Sequence, residues 1–429
     1  MKVRLLVLVL VLPLAHACRG AIQHQADTPK QAAMNRACQV AVAADARNDA
    51  DITKWQRDVR EQRAASRAAE QLGYRYVAKA RLSNDAGFYT LAEQAAECIE
   101  SMSPGDPAAL LLRGHVLHQM HRFAEAEAIA RRLVTVREFV LDYGLLGDVL
   151  MEQGRLTEAA GAYQKMIDLK PFYQSCTRAA HLRWLKGDLD GAIELMQAAV
   201  RAVSPRDKES VAWAYSRLAI LELQRGQLTE AARMTEAALQ YVPEYAAALL
   251  AKGRIQLAQH KESDAISTLE KAAQLNPLPE YRWALADALR SAERTEEATA
   301  VERALVASGT EDPRTLSLYL STRREDRTKA IALARQELEK RGDVFTLDAL
   351  AWALANAGEL TEASAVMQRA LAEGTQDARL FVHASVIAGA AGRSADAKRW
   401  AVKAHALHFT LLPSELGVLR TGLVAPPRS

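Results

Sequence analysis

Between Tyr143 and Pro171 the apolar positions follow a helical period, break at a glycine, and resume. Tyr143, Leu146, Gly147 and Leu150 stand at the i, i+3, i+4, i+7 spacing of one helix face, and Gly154 supplies a turn. Thr157 then reads as an N-cap, and Glu158 puts a carboxylate at the positive end of a helix dipole. Ala159, Tyr163, Met166 and Ile167 make a second apolar stripe, which Pro171 closes. Small residues at Gly147 and Ala159 let two helices approach closely. The stretch predicts a helix, a turn and a helix.

The same phrase returns along most of the chain. The alanine equivalent to Ala159 recurs as Ala92, Ala126, Ala192, Ala231, Ala265, Ala298, Ala330, Ala363 and Ala397, with successive spacings of 34, 33, 33, 39, 34, 33, 32, 33 and 34 residues once Ala159 is included. Gly-x-Leu-Thr-Glu-Ala is spelled out at Gly154–Ala159, Gly226–Ala231 and Gly358–Ala363, and Pro104, Pro171, Pro243 and Pro277 fall at repeat ends. The pattern resembles the tetratricopeptide repeat (TPR). That 34-residue unit carries Trp, Leu, Gly, Tyr, Ala, Phe, Ala and Pro at positions 4, 7, 8, 11, 20, 24, 27 and 32. The resemblance implies an all-α, right-handed superhelical solenoid of about ten TPR-like helix-turn-helix repeats. No segment of the array has the two-residue alternation of a strand. Units two, seven, eight and ten depart from the pattern: Glu293 and Glu325 stand where units seven and eight would have a turn glycine, and both lack the closing proline.

Residues 1–17 read as an export signal, with Lys2 and Arg4, an apolar run from Leu5 to Leu12, and Ala15-His16-Ala17 as a cleavage site. The run is shorter than the ~20 residues that span a bilayer. Cys18 follows the site, so two routes are open: a freely exported, periplasmic protein, or a lipoprotein anchored through acylated Cys18, which would be its only membrane attachment. Residues 18–72 form an N-terminal helical segment. Thr28-Pro29 is a helix start, and a long helix over Ile52–Gln71, patterned by Trp55, Val59, Ala65 and Ala69, either caps the array or tethers it. Units one to four take 73–203, a polar insertion at 204–210 is either a hinge or a longer loop, and units five to ten take 211–409. Residues 410–429 are a capping segment and tail, with Leu411, Leu412, Leu416 and Leu419 able to cover the last repeat.

Composition fits a helical protein and narrows its chemistry. Of 429 residues 49% are hydrophobic and 25% charged, and the net charge of +3 is interspersed, which gives no footing for nucleic acid. There is no phosphate-binding loop, nucleophile elbow, His-Glu-x-x-His or Cys-x-x-Cys. The expectation is a protein that is not an enzyme and carries no cofactor or metal. His115, His118 and His121 follow one another at i, i+3 steps, so two could share an ion, but each step rotates ~60° backwards and three cannot converge on one metal without a bend. His405 and His408 form a second such pair. Of the cysteines, only Cys38 and Cys98 could pair, if the N-terminal helix folds back on unit one; the other reading is two buried free thiols. Cys176 lies too many layers away.

In the family that the repeats resemble, positions 2, 5, 9, 12 and 13 face the concave side, where partners bind. Carried over, this implies a groove with Trp184 at position 12, Trp213 at 2, Trp283 at 5 and Trp352 at 9. Tyr319, Arg254, Asp148 and Asp287 at position 9, Arg290 at 12, and His115 and His118 join them. Aromatic residues and arginines on an exposed face are the types that dominate interface energetics. No unit has both the Lys at 5 and the Asn at 9 with which the family clamps a C-terminal carboxylate. The function expected is an exported scaffold that binds a protein or peptide in its concave groove, in cell-envelope assembly or trafficking. The alternatives are a metal-carrying or catalytic protein using His115, His118 and His121, or an envelope polysaccharide-binding protein, since aromatic faces also stack on sugars.

Overall fold

The repeated alanines are small because a second helix must pass directly over them. In the computed structural model, which describes residues 37–39, 41, 49–63 and 65–422, nine of the ten are fully buried. The tenth, Ala397, belongs to the last pair and is partly exposed.

Helix α1 (Ala50–Arg60) precedes ten helix pairs. They are α2 (Ala65–Ser83) with α3 (Gly87–Met102), α4 (Pro107–Gln119) with α5 (Phe123–Val136), α6 (Val140–Glu152) with α7 (Leu156–Leu169), α8 (Tyr173–Leu185) with α9 (Leu189–Ala202), and α10 (Lys208–Gln224) with α11 (Leu228–Tyr241). The stack continues with α12 (Ala246–Ala258) and α13 (Glu262–Leu275), α14 (Pro279–Ser291) and α15 (Thr295–Ser308), α16 (Pro313–Arg323) and α17 (Arg327–Leu338), α18 (Val344–Ala357) and α19 (Leu360–Leu371), and α20 (Ala378–Ala390) and α21 (Ser394–Ala406). Helix α22 (Pro413–Thr421) closes the described chain. Among the described residues every regular element is helical, and no helix is long and apolar enough to cross a membrane. The protein is an all-α TPR-like solenoid.

Every pair turns through at least one residue of left-handed backbone: Asn84, His121, Gly154, Gly187, Gly226, His260, Glu293, Arg324, Gly358 and Gly392. A side chain there costs roughly 1–2 kcal/mol, so half of the turns accept strain that glycine would relieve. In unit eight the left-handed residues are Arg324 and Asp326, on either side of the expected Glu325.

The superhelix closes on itself. Asn84 Nδ2 donates to the Leu275 carbonyl (3.2 Å), 191 residues away, Thr375 donates to the Leu185 carbonyl across 190 residues, and Lys186 meets Glu373 (2.6 Å). One turn of the stack therefore comes back onto the next. The approach is tight: a Cβ on Gly187, whose φ is +84°, would stand 2.5 Å from the Gly374 carbonyl oxygen, and one on Gly154 2.3 Å from that of Gly342. Arg341 spans the same seam, pairing with Glu152 (3.1 Å) and Glu337 (2.7 Å).

Two expectations need correction, and two more are made specific. The long helix over Ile52–Gln71 is two helices, with a break after Arg60 where Gln62 adopts positive φ. Half of the polar insertion joins α10 as extra turn, giving it 17 residues, and Tyr173 Oη donates to the Ser210 carbonyl (3.0 Å), so the stack runs on unbroken. Thr157 lies inside α7; the cap position is Arg155, whose side chain holds Glu158 (2.7 Å). The C-terminal segment does pack Leu416 and Leu419 on the last pair, but α22 also reaches inward to α14 and α16. Cys38 and Cys98 are joined as a disulfide, and Cys176 is free. The export signal, Cys18, Thr28-Pro29 and the end of the tail lie outside the described residues.

Two substitutions test the turns. Glu293→Gly, at an exposed turn, is expected to raise stability by about 1 kcal/mol, against the usual cost of glycine. Gly187→Ala is expected to lower it by about 2 kcal/mol or more, because the strain is joined by a clash with backbone. Urea unfolding midpoints of the two variants moving in the same direction would contradict this account.

Candidate functional site

The first helix of each pair faces the inside of the superhelix, and its burial shows it. Outer helix α19 buries only Ala363, Val366, Met367 and Ala370, whereas inner helix α18 buries nearly every residue from Val344 to Asn356. Over the first five pairs the inner helices α2, α4, α6 and α8 each touch the next, but together with α10 they do not fill the concave side. They wall a cavity of about 640 Å³, which adjoins a second of about 660 Å³ through Met151, His181, Trp184 and Arg217.

The cavity wall mixes aromatic rings with fixed charges. Asp148 accepts from Tyr163 Oη (2.8 Å) and from Arg178 Nε and Nη2 (2.8 and 2.7 Å). Burial raises the Asp148 carboxyl, but the Arg178 charge and these bonds outweigh it and hold the group below its ordinary range. Glu209 accepts from Tyr245 Oη (3.1 Å) and lies 3.4 Å from Arg81. His115 and His181 are pushed down to about 3, first by loss of hydration and then by Arg178 and Arg217 respectively, so both are neutral at ordinary pH. Loss of hydration also pushes the Arg217 guanidinium down, with only Glu280 pulling it back.

Over the later pairs the concave face is filled by the chain itself. Trp283 Nε1 donates to Ser414 Oγ (3.2 Å), the Ser414 N–H donates to Asp287 Oδ2 (2.9 Å), and Arg254 donates to the Thr410 carbonyl (2.7 Å). Arg379 holds Glu415 at the same place. Burial pushes the Asp287 carboxyl up to about 6 against the opposing bonds from Ser414.

The residues expected in the groove therefore part into groups. His115, His118, Asp148, Trp184 and Trp213 line the open cavity, and Arg254, Trp283 and Asp287 meet the C-terminal segment. Tyr319 lies edge-on to Trp283 with ring centroids 5.7 Å apart. Trp352 stacks on His383 at 4.2 Å and donates to Thr322 Oγ1 (3.1 Å), while His383 Nδ1 lies 2.8 Å from Asp348. Solvent accessibility was expected of all four tryptophans; it is corrected for Trp283 and Trp352, which are 1% and 2% exposed, and for Trp184 at 9%. Arg290 turns away from the concave side to Glu302 of the outer helix α15 (2.7 Å). His115 packs on Tyr74, while His118 and His121 pack on Phe123, and among the described residues no group of three or more His, Cys, Asp or Glu is placed to hold a metal. Reasoning from sequence missed Tyr74, Arg81 and His181, although they stand at positions 2, 9 and 9 of their units. It also missed Arg178 and Arg217, both at position 6, for which the groove rule gives no signal.

Residues 222–286 and 143–173 each match a tetratricopeptide repeat family. The chain is a tetratricopeptide repeat protein. As such it is a scaffold for protein interaction. A search of curated proteins gives no match. Among solved structures this TPR protein is similar to MamA (16% identity, 40% of this chain and 92% of that one, TM-score 0.31) and to YrrB, described as a TPR protein with an unusual peptide-binding site (17%, 43% and 94%, 0.30). It is also similar to the human IFIT1 dimer with PPP-AAAA (12%, 90% and 96%, 0.47).

Trp352→Ala is expected to cost this TPR protein about 3–5 kcal/mol, seen as a large fall in melting temperature, because the stacked ring leaves a hole. Trp213→Ala, at the half-buried cavity wall, is expected to cost much less. A second expectation concerns pH. With folded values near 3 against an ordinary 6.5, His115 and His181 bind fewer protons folded than unfolded, so their contribution is complete above about 6.5 and is lost as pH falls towards 3. Asp287 acts oppositely, its contribution fading as pH rises through 6. The double variant His115→Gln/His181→Gln should lose less melting temperature between about pH 7 and pH 4 than the parent. An equal or steeper loss would count against neutral histidines in the cavity.

Proposed function

We propose that this chain is an exported scaffold, without catalysis of its own, which holds a protein or peptide segment on the concave face of its first five helix pairs in cell-envelope assembly. The observation that carries the reading is the cavity of about 640 Å³ walled by five successive inner helices, on a stretch of concave face that α22 leaves open. A cavity of this size with aromatic walls and a few directed polar groups is the usual form of a binding site. Export rests on the sequence of residues 1–17.

A photo-crosslinking residue placed at Trp213 of the exported protein is expected to capture a discrete partner from the envelope. The same residue at Val402, an exposed site on outer helix α21, serves as the control and is expected to capture none. The mass of the mature chain, read from the same preparation, should begin at Cys18, free or acylated. Capture at Val402 alone would place the partner on the outer face and refute the concave reading; a chain that retains Met1–Ala17 would refute export.

A further inference from the structure

Of the three arginines that line the cavity of about 640 Å³, two are paired. Arg178 is held bidentately by Asp148, and Arg81 lies 3.4 Å from Glu209. Arg217, on α10, lines both adjoining cavities and makes no hydrogen bond or ion pair among the described residues. Glu280, the acid it senses, is drawn instead towards Arg254 (3.6 Å). Arg217 is part-buried, and its guanidinium, open to the cavity and without a protein partner, is free to take a ligand's charge. A second, independent sign lies in the same wall. Trp184, nine-tenths buried, leaves its Nε1 without an acceptor, and Tyr74 Oη and His118 Nε2 are likewise buried and unpartnered.

We infer that this cavity is a binding site for a monocarboxylate with an apolar body, the carboxylate seated on Arg217 and the body against the rings of Trp184, Trp213 and Tyr173. The charges select the class. Three guanidiniums (Arg81, Arg178, Arg217) face two carboxylates (Asp148, Glu209), which leaves one positive charge to be met by one negative charge. A phosphate dianion would carry an excess that Asp148 and Glu209 repel. His115 and His181, uncharged, offer hydrogen bonds but add no cation that would invite a second negative charge. The guanidinium matches a carboxylate in geometry as well as in sign. The inference rests on the reading of this cavity as the occupied part of the concave face. The carboxylate can come from a free organic acid or from an acidic side chain of a bound peptide.

Calorimetric titration of the full mature protein separates these sources. One probe is octanoate, with octanol as its neutral match; the other is an end-capped peptide whose only anion is a central glutamate flanked by leucines, with its glutamine counterpart. At least one acid is expected to bind, about tenfold or more tighter than its neutral match. Arg217→Met should weaken that binding by a similar factor, and Arg217→Lys should weaken it less. Without ligand, Arg217→Met should melt no lower than the parent, because it breaks no hydrogen bond or ion pair, whereas an arginine kept for structure would give a lower melt. Binding of octanoate alone assigns a free acid, and binding of the peptide assigns an acidic side chain. Failure of both acids, equal binding of acid and neutral match, or undiminished binding by Arg217→Met overturns the inference. If the acids fail while the crosslinker at Trp213 still captures a partner, the concave reading stands and only the carboxylate falls.

Discussion

A helix pair in a linear stack can bury its apolar face only against its two neighbours. Here it has a third neighbour, because the stack curls until one turn touches the next. Everything inside depends on that contact. It is made at the loops, where Gly154 and Gly187 leave room for the backbones of Gly342 and Gly374, and it is held by Arg341, Lys186 and Thr375. A looser superhelix would leave the inner helices facing water, where the tryptophans and arginines of a partner-binding groove were expected. The tight one encloses them, and so each polar group on an inner helix needs a partner within the protein.

Most have one, and the partners come from successive inner helices. Asp148 of α6 takes Arg178 of α8 and Asp348 of α18 faces His383 of α20, while Asp287 of α14 takes Ser414 of α22. Pairs of this kind do little for net stability compared with apolar packing, but breaking one leaves a charge stranded. Even so a cavity opens between α2 and α10, with the Asp148–Arg178 pair on its wall.

The period of the alanines made the repeats legible, because close helix contact admits no larger side chain at that place; ten were expected and ten pairs are found. The faces of the inner helices were legible too, in that Trp213, Trp283, Asp287 and Arg254 do point to the concave side. What covers them was not. Ser414 lies 127 residues from Asp287, and no local pattern announces a contact over that distance. Similarly, Gln62 and Arg324 take left-handed backbone where helices break, at residues with no glycine to mark them. Arg217 escaped notice because its meaning lies in what it lacks, and a sequence does not show which charges go unanswered.

The position of α22 bears on the order in which the molecule can be completed. It follows in sequence every inner helix that it touches, so a ribosome delivers α14, α16 and α20 before the segment that covers them. Until then Asp287 and Trp283 face an open trough, with a carboxylate and an indole N–H exposed to whatever is near. The half-made protein thus has for a time two vacant stretches of inner wall, one of which α22 covers in the finished molecule. Assembly itself decides which of the two is left for others.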